Sequence, residues 1–252
     1  MKQNGIRTLS PSSAKEIQIR KDFYDLFSNC PIPENEVLKN LGLFLNRQTL
    51  TSILHLHELY KKIINVHGSV IEFGTRWGQQ LALCTSLRGL YEPYNYSRKI
   101  IGFDTFEGFP SSHTKDGDAD IASKGAYSVT KNYKEYLGKV LQYHEQESPL
   151  SHIKKYELIQ GDMCITFKKY LEDNPHTIVA LAYFDCDIYE PTKKCLLMLK
   201  DHVTKGTIIV FDELNHPMFP GETVALKEVF ALDEYRIERS PLSQYASYIV
   251  IE

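Results

Sequence analysis

The chain has 252 residues, 42% of them hydrophobic, enough for the core of one large domain or of a domain with a helical appendage. Its 29 basic and 32 acidic side chains leave a formal charge of -3, so no positive field gathers phosphate backbones and nucleic acid is not the expected partner. Five cysteines, odd in number and without a C-x-x-C pair, indicate neither a disulfide framework nor a thiolate zinc site and suit a reducing cytoplasm.

The opening MKQNGIRTLSPSS carries charge but no apolar segment of the kind an export signal needs. Residues 12–64 read as helical, with a break near CPIPEN. Ser13 and Glu16 form a capping box, and Leu50, Ile53, Leu54, His57, Tyr60 and Ile64 make a stripe of helical period expected to pack inward. Residues 1–66 are therefore read as a helical extension whose amphipathic helices favour self-association into a homo-oligomer, and 67–252 as the main domain.

From residue 68 short apolar runs alternate with helical segments. Strands are predicted at 69–73, 99–104, 156–160, 178–185 and 206–212, with helices at 78–90, 163–172, 190–200 and 221–232. Runs such as IVALAYF and TIIVF are continuous enough to be buried on both faces, which predicts a doubly wound parallel α/β sheet. The tail YRIERSPLSQYASYIVI holds two strand-like runs about a Ser-Pro turn and predicts an antiparallel finish. Every apolar run is strand-sized, so no membrane span is expected. Residues 107–150 break the alternation: EGFPSSHTKDGDADIASKGAYSVT reads as a long mobile loop and 131–146 as a helix. Following a strand end on the ligand side, this segment is read as a lid or substrate insertion.

Ligands of open parallel sheets bind beyond the carboxyl ends of the strands, where the strand order switches. VIEFGTRWG puts Glu72, Gly74 and Gly78 there, as E-x-G-x-x-x-G rather than the G-x-G-x-x-G that receives a pyrophosphate. An acid beside that turn suits a cationic ligand. The second strand ends in Asp104, placed to accept from ribose hydroxyls, and the third leads into Gly161 and Asp162, where an acid can accept an adenine amino group or cap a helix. Acids at three successive strand ends describe a positively charged nucleoside, and S-adenosylmethionine answers that description.

Together VIEFGTRWG, GFDTFEGFP, FDCDIYEPT, KGTIIVFDE and PGETVALKEVF resemble the class I S-adenosylmethionine-dependent methyltransferases, and within them the macrocin O-methyltransferase family of sugar O-methyltransferases from antibiotic biosynthesis. The resemblance implies a Rossmann-like seven-stranded sheet with an antiparallel last strand. It also implies a cofactor site drawn from Glu72, Phe73, Gly74, Thr75, Arg76, Gly78, Asp104, Thr105, Phe106, Gly161, Asp162, Met163 and Asp185. Two positions depart from the family pattern: Arg76 stands where its glycine loop usually has the central glycine, and Glu213 follows Asp212 where two aspartates are more usual.

Asp185, Asp187, Asp212 and Glu213 lie at the ends of adjacent predicted strands. Alternation along D-C-D would point both aspartates one way if the strand runs that far. Carboxylates so close repel unless a cation sits among them, and an all-oxygen set suits magnesium, calcium or manganese; capping of the next helix is the competing role for Asp187 or Glu190. The resemblance assigns Asp185, Asp212 and Glu213 to the metal. In the implied reaction a sugar hydroxyl is deprotonated by Asp187, with His113 as a second candidate base, and attacks the sulfonium methyl. His216 either orients a ligand or caps a turn, and Trp77 either packs in the core or stacks on the cofactor. The alternatives are a phenol or catechol methyltransferase, disfavoured by Ile188 where a lysine would stand, and a non-catalytic binding module, which has no use for four convergent acids.

Overall fold

Four strands of this protein end on the same two-residue word, a phenylalanine followed by glycine or aspartate: Phe73-Gly74, Phe103-Asp104, Phe184-Asp185 and Phe211-Asp212. A computed structural model describes residues 13–117, 123–243 and 245–252, and the start of the chain read above for an export signal lies outside them up to residue 12. The strands are β1 (Ser69–Phe73), β2 (Ile100–Asp104), β3 (Tyr156–Gln160), β4 (Val179–Phe184), β5 (Val203–Phe211), β6 (Glu238–Arg239) and β7 (Ser247–Val250), in the order β3-β2-β1-β4-β5-β7-β6. The first five run parallel, β7 is antiparallel to β5, and β6 is antiparallel to β7. The order reverses between β1 and β4, which opens a crevice above the carboxyl ends.

Register puts Phe73 beside Phe103 and Phe184, and Phe184 beside Phe211. Their rings form a row, with centroids 5.6, 4.7 and 5.5 Å apart, capped edge-on at 4.9 Å by Phe167 of α6 (Met163–Asp173). Each such aromatic pair adds about 0.5–1.5 kcal/mol beyond area burial, so the strand tips stand on a stiff floor. Helices α7 (Tyr189–Leu199) and α8 (Gly221–Val229) complete that layer. The opposite face, with Val70, Leu181 and Ile208, is covered by α3 (Arg47–Ile63), α4 (Gln79–Tyr91) and α5 (Tyr133–Gln146).

The N-terminal stretch divides where the sequence did not predict it. Helix α3 belongs to the sheet's helical layer, whereas α1 (Ala14–Ser28) and the short α2 (Glu34–Val37) bury no residue. The capping box forms: Ser13 N–H donates to Glu16 Oε2 at 2.8 Å and Glu16 N–H to Ser13 Oγ at 3.3 Å. The inward face of α3 is His55, Leu56, Leu59, Tyr60 and Ile63, while Leu50 and Leu54 of the expected stripe are 43% and 42% exposed. Of the expected stripe Tyr60 is buried, its hydroxyl donating to Glu92 at 2.7 Å, itself held by Arg98 at 3.0 Å.

The insertion is tied down more than its composition predicts. Phe109 N–H donates to Ala126 O (3.1 Å) and Gly125 N–H to Phe109 O (2.9 Å), closing the segment on itself. Buried Asp116 accepts the Tyr189 and His113 amides at 2.6 and 2.7 Å, fastening the loop to α7. Residues 118–122 of the expected lid lie outside the described residues. Beyond the loop, α5 is locked by Glu145, which meets Arg88 at 2.6 Å and Lys155 at 2.7 Å, all three buried. Removing one partner of such a set strands a buried charge and costs about 3–5 kcal/mol. Among the described residues no helix is long and apolar enough to cross a membrane.

Candidate active site

One residue beyond the aromatic row, backbone pairing still aligns the strand tips. Gly74 N–H donates to Phe103 O at 2.9 Å, Asp185 N–H to Phe73 O at 2.8 Å and Asp212 N–H to Phe184 O at 3.1 Å. Because side chains alternate, Asp104, Asp185 and Asp212 turn away from the phenylalanine face. At Gly74 (φ 96°) a β-carbon would lie 1.9 Å from the Asp185 carbonyl oxygen, and at Gly78 (φ 74°) 2.5 Å from the Leu137 side chain. Close packing of β1 on β4 and of α4 on α5 demands these glycines even before a ligand arrives. Gly74→Ala is expected to destabilise the fold by about 3 kcal/mol or more in chemical denaturation, through overpacking and a strained backbone; a variant as stable as the native chain would refute this packing role.

Two cavities share the tips. The first is lined by Gly74, Arg76, Asp104, Thr105, Asp162, Met163, Asp185 and Asp187. The second is lined by Glu72, Thr75, Arg76, Trp77, Gly78, Gln80, Asp185 and Asp212, by Gln48, Thr51 and His55 of α3, and by Ser243. Among the described residues only Arg76 and Asp185 line both. In the first, Asp104 Oδ2 accepts Arg76 N–H at 2.7 Å and its Oδ1 accepts Phe106 N–H; burial raises its pKa against these bonds, and lone pairs remain for hydroxyls. Asp162 caps α6 through Cys164 N–H at 2.9 Å and also lines the cavity. Thr105 donates to Gly108 O at 2.7 Å.

Three expected cofactor residues stand apart from the cavities. The side chains of Phe73 and Phe106 are core residues, and Gly161 lines neither cavity, its N–H bonded to Asp104 O at 2.9 Å. Trp77 is a cavity wall rather than core, its ring edge-on to Tyr133 at 4.8 Å.

The acids gather by a route other than the one expected. Strand β4 stops at Phe184, and Asp187 sits in a left-handed turn (φ 58°), so the turn rather than strand alternation brings Asp187 toward Asp185. Asp187 is buried and its pKa is pushed up to about 7, first by burial and then by Asp212, with Arg76 opposing. Asp185 is raised well above the carboxylate range by burial and then by Asp212 and Asp187. Glu213 rises to about 8 by burial, Asp187 and Asp212, while Asp212, raised by burial, is partly relieved by the Tyr183 hydroxyl at 2.9 Å. A fifth acid, Glu222, was not predicted although it stands in PGETVALKEVF: fully buried in the first turn of α8, it accepts Glu213 N–H at 3.1 Å and is raised by burial and Asp187. Gln80, which donates to Asp185 Oδ2 at 3.0 Å, was missed too.

This set fits a hard divalent cation in donor chemistry. Every donor is a carboxylate oxygen, and Glu213 Oε2 and Glu222 Oε1 are buried without hydrogen-bond partners. Among the described residues no three His, Cys, Asp or Glu side chains are drawn close enough to hold a metal ion as they stand.

His113 does not join the site. It is an exposed cap, its Nδ1 accepting Lys115 N–H at 3.1 Å and its ring against Tyr189 at 4.9 Å, and it lines neither cavity. A histidine flanked by Ser and Thr in a loop is well suited to that local bond, which competes with any reach toward substrate. His216 also caps a turn, accepting Met218 N–H at 3.2 Å, with Nε2 3.6 Å from Glu213 Oε2.

The family model described as Macrocin-O-methyltransferase (TylF) matches residues 49–228, from the first turn of α3 to the last turn of α8. A crystal structure of CalS11, calicheamicin methyltransferase, is similar at 40% identity and TM-score 0.93, over 96% of this chain and 94% of that one. An apo structure described as CalS11, TDP-rhamnose 3'-O-methyltransferase, an enzyme in calicheamicin biosynthesis, is similar at 37% identity and TM-score 0.83, over 97% and 96%. The O-methyltransferase NovP shares the fold at 19% identity and TM-score 0.60, over 79% of each chain. No curated protein sequence matches the chain. With the family match running from α3 through the strand tips to α8, the chain belongs to the macrocin O-methyltransferase family and is an S-adenosylmethionine-dependent O-methyltransferase.

Proposed function

We propose that this enzyme methylates a sugar hydroxyl, on a nucleotide-linked deoxysugar or a glycosylated natural product, with the help of a divalent cation. The observation that carries the reading is the meeting of two cavities at Asp185, beside a cluster of acids that includes Asp187 and Asp212. The adenosyl half of the methyl donor belongs in the first cavity, its ribose on Asp104 and its base toward Asp162 and Met163. The acceptor belongs in the second, walled by Trp77 and the polar face of α3.

S-adenosylmethionine supplies the methyl group. Asp187 is the base that takes the hydroxyl proton, and a carboxyl with a pKa near 7 is well matched to that task. Asp185, Asp212 and Glu213 would hold magnesium or a similar cation, which when bound supplies Lewis acidity to the acceptor hydroxyls. Glu222 positions Glu213 through its amide. The nucleotide-linked acceptor is supported by the TDP-rhamnose named for CalS11.

Homo-oligomerisation is the companion proposal, since α1 exposes Ile17, Ile19, Tyr24, Leu26 and Phe27. A cytoplasmic location agrees with five free cysteines. With methyl-labelled S-adenosylmethionine and magnesium, label is expected to enter a TDP-deoxysugar such as TDP-rhamnose or a deoxysugar glycoside. A panel of both acceptor types that stays unlabelled, while a catechol takes up label, would overturn the sugar reading.

A further inference from the structure

Arg76 is the one turn residue that the family pattern does not explain. Its backbone is left-handed (φ 47°), a conformation that suits glycine, and its amide is fixed on Asp104 Oδ2 at 2.7 Å. Its guanidinium carbon lies 4.9 Å from the Tyr127 ring centroid and 5.8 Å from that of Trp77. Stacking of this kind engages the faces of the guanidinium and leaves its edge, where the N–H donors point, for other partners. Among the described residues the Arg76 side chain makes no hydrogen bond or ion pair, although aspartates line the same cavity, and its Nε is buried without an acceptor. Among the described residues it is the only basic side chain lining the first cavity, and it also lines the second. A guanidinium held on rings, close enough to Asp104 and Asp187 to favour their charge but hydrogen-bonded by its side chain to neither, and facing both ligand spaces, is prepared for an acceptor that arrives with a ligand.

We propose that Arg76 determines specificity by receiving an anionic oxygen group where the two cavities meet: the α-carboxylate of S-adenosylmethionine or a phosphate of the nucleotide-linked acceptor. The inference rests on the assignment of the two cavities to donor and acceptor made above. Both sources offer paired oxygens that match the planar fork of arginine. The acids around it repel such a group, and among the described residues Arg76 is the basic side chain that faces both cavities, Arg47 lining the second alone.

The test uses Arg76→Met, which keeps a stem between the rings, and Arg76→Lys, which keeps the charge without the fork; the Asp104 bond, made by the backbone, survives in both. Calorimetry compares S-adenosylhomocysteine with S-adenosyl-3-thiopropylamine, the same thionucleoside without the carboxylate. Kinetics compare KM for a TDP-deoxysugar with KM for the methyl glycoside of that sugar. Arg76→Met is expected to lose about tenfold or more in one pair, on the anionic member alone, with Arg76→Lys intermediate. Loss for S-adenosylhomocysteine assigns the carboxylate, and loss for the TDP-deoxysugar assigns the phosphate. Equal weakening of both members of a pair, or no change in either pair, overturns the proposal. A native enzyme that methylates no sugar refutes the acceptor assignment alone, and the calorimetric pair then decides Arg76 by itself.

Discussion

Replacing Asp187 by Asn is expected to lower kcat by about 10²–10⁴ while the affinity for S-adenosylmethionine stays within about threefold. The substitution removes one function and little else. Asparagine has the same shape, and it tolerates the left-handed backbone that Asp187 adopts (φ 58°), so the turn after β4 should keep its form. It also removes a negative charge from a site where burial and Asp212 already oppose ionisation. The folded variant should therefore be no less stable than the native chain near pH 8. What it loses is a carboxylate able to accept a proton from an attacking hydroxyl. Calorimetric titration of the cofactor, with single-turnover methyl transfer, separates the two quantities. Native turnover in a folded Asp187→Asn variant would remove this residue from the role of base, and a parallel collapse of cofactor affinity would make it a binding residue instead.

Much of this arrangement was legible in the sequence, and the failures have physical causes. The strands buried on both faces were readable because crossover helices leave no solvent face, so their sequences are almost wholly apolar. The acids at their tips were readable because an unpaired carboxylate at the end of such a run needs a reason. The face of α3 was misjudged because a second apolar stripe, through Leu56, Leu59 and Ile63, runs beside the one through Leu50 and Leu54, and periodicity alone does not say which of the two meets the sheet; Tyr60 is common to the expected and the observed faces. Glu222 was missed because a glutamate in the first turn of a helix ordinarily serves the helix dipole. Its burial depends on α8 docking against Asp116 and Tyr189, where a β-carbon on Gly221 would lie 2.5 Å from the Tyr189 nitrogen. His113, kept only as a second candidate base, bonds within its own loop. The Phe-Gly and Phe-Asp endings were present throughout and marked both the floor and the site: four strands halting on the same word means four tips at one level.

The acid cluster should also make stability depend on pH in an unusual direction, and a divalent cation should reverse it. Carboxyls whose folded pKa exceeds the unfolded value stabilise the fold below the unfolded pKa, about 4, and that stability is lost as pH rises through the folded value. Asp187 at about 7 and Glu213 at about 8 place the loss between roughly pH 4 and 8, with Asp185 and Glu222 pushing in the same direction. In EDTA the Tm is therefore expected to fall across that range, where most proteins near neutrality change little. Magnesium at about 100 times its Kd would restore about 2.7 kcal/mol, or roughly 5–10 °C in a chain of this size, and more at pH 8 than at pH 6 because the ligand carboxyls must first lose their protons. The double variant Asp212→Asn, Glu213→Gln should flatten the pH profile in EDTA and abolish the magnesium response, since two of the mutually repelling acids are gone and with them two of the three proposed ligands. Turnover should follow the same ion, falling by about a hundredfold or more on chelation and returning when magnesium is restored. A Tm indifferent to both pH and magnesium, together with full activity in EDTA, would mean that these carboxylates share their protons among themselves and serve the methyl transfer without a cation.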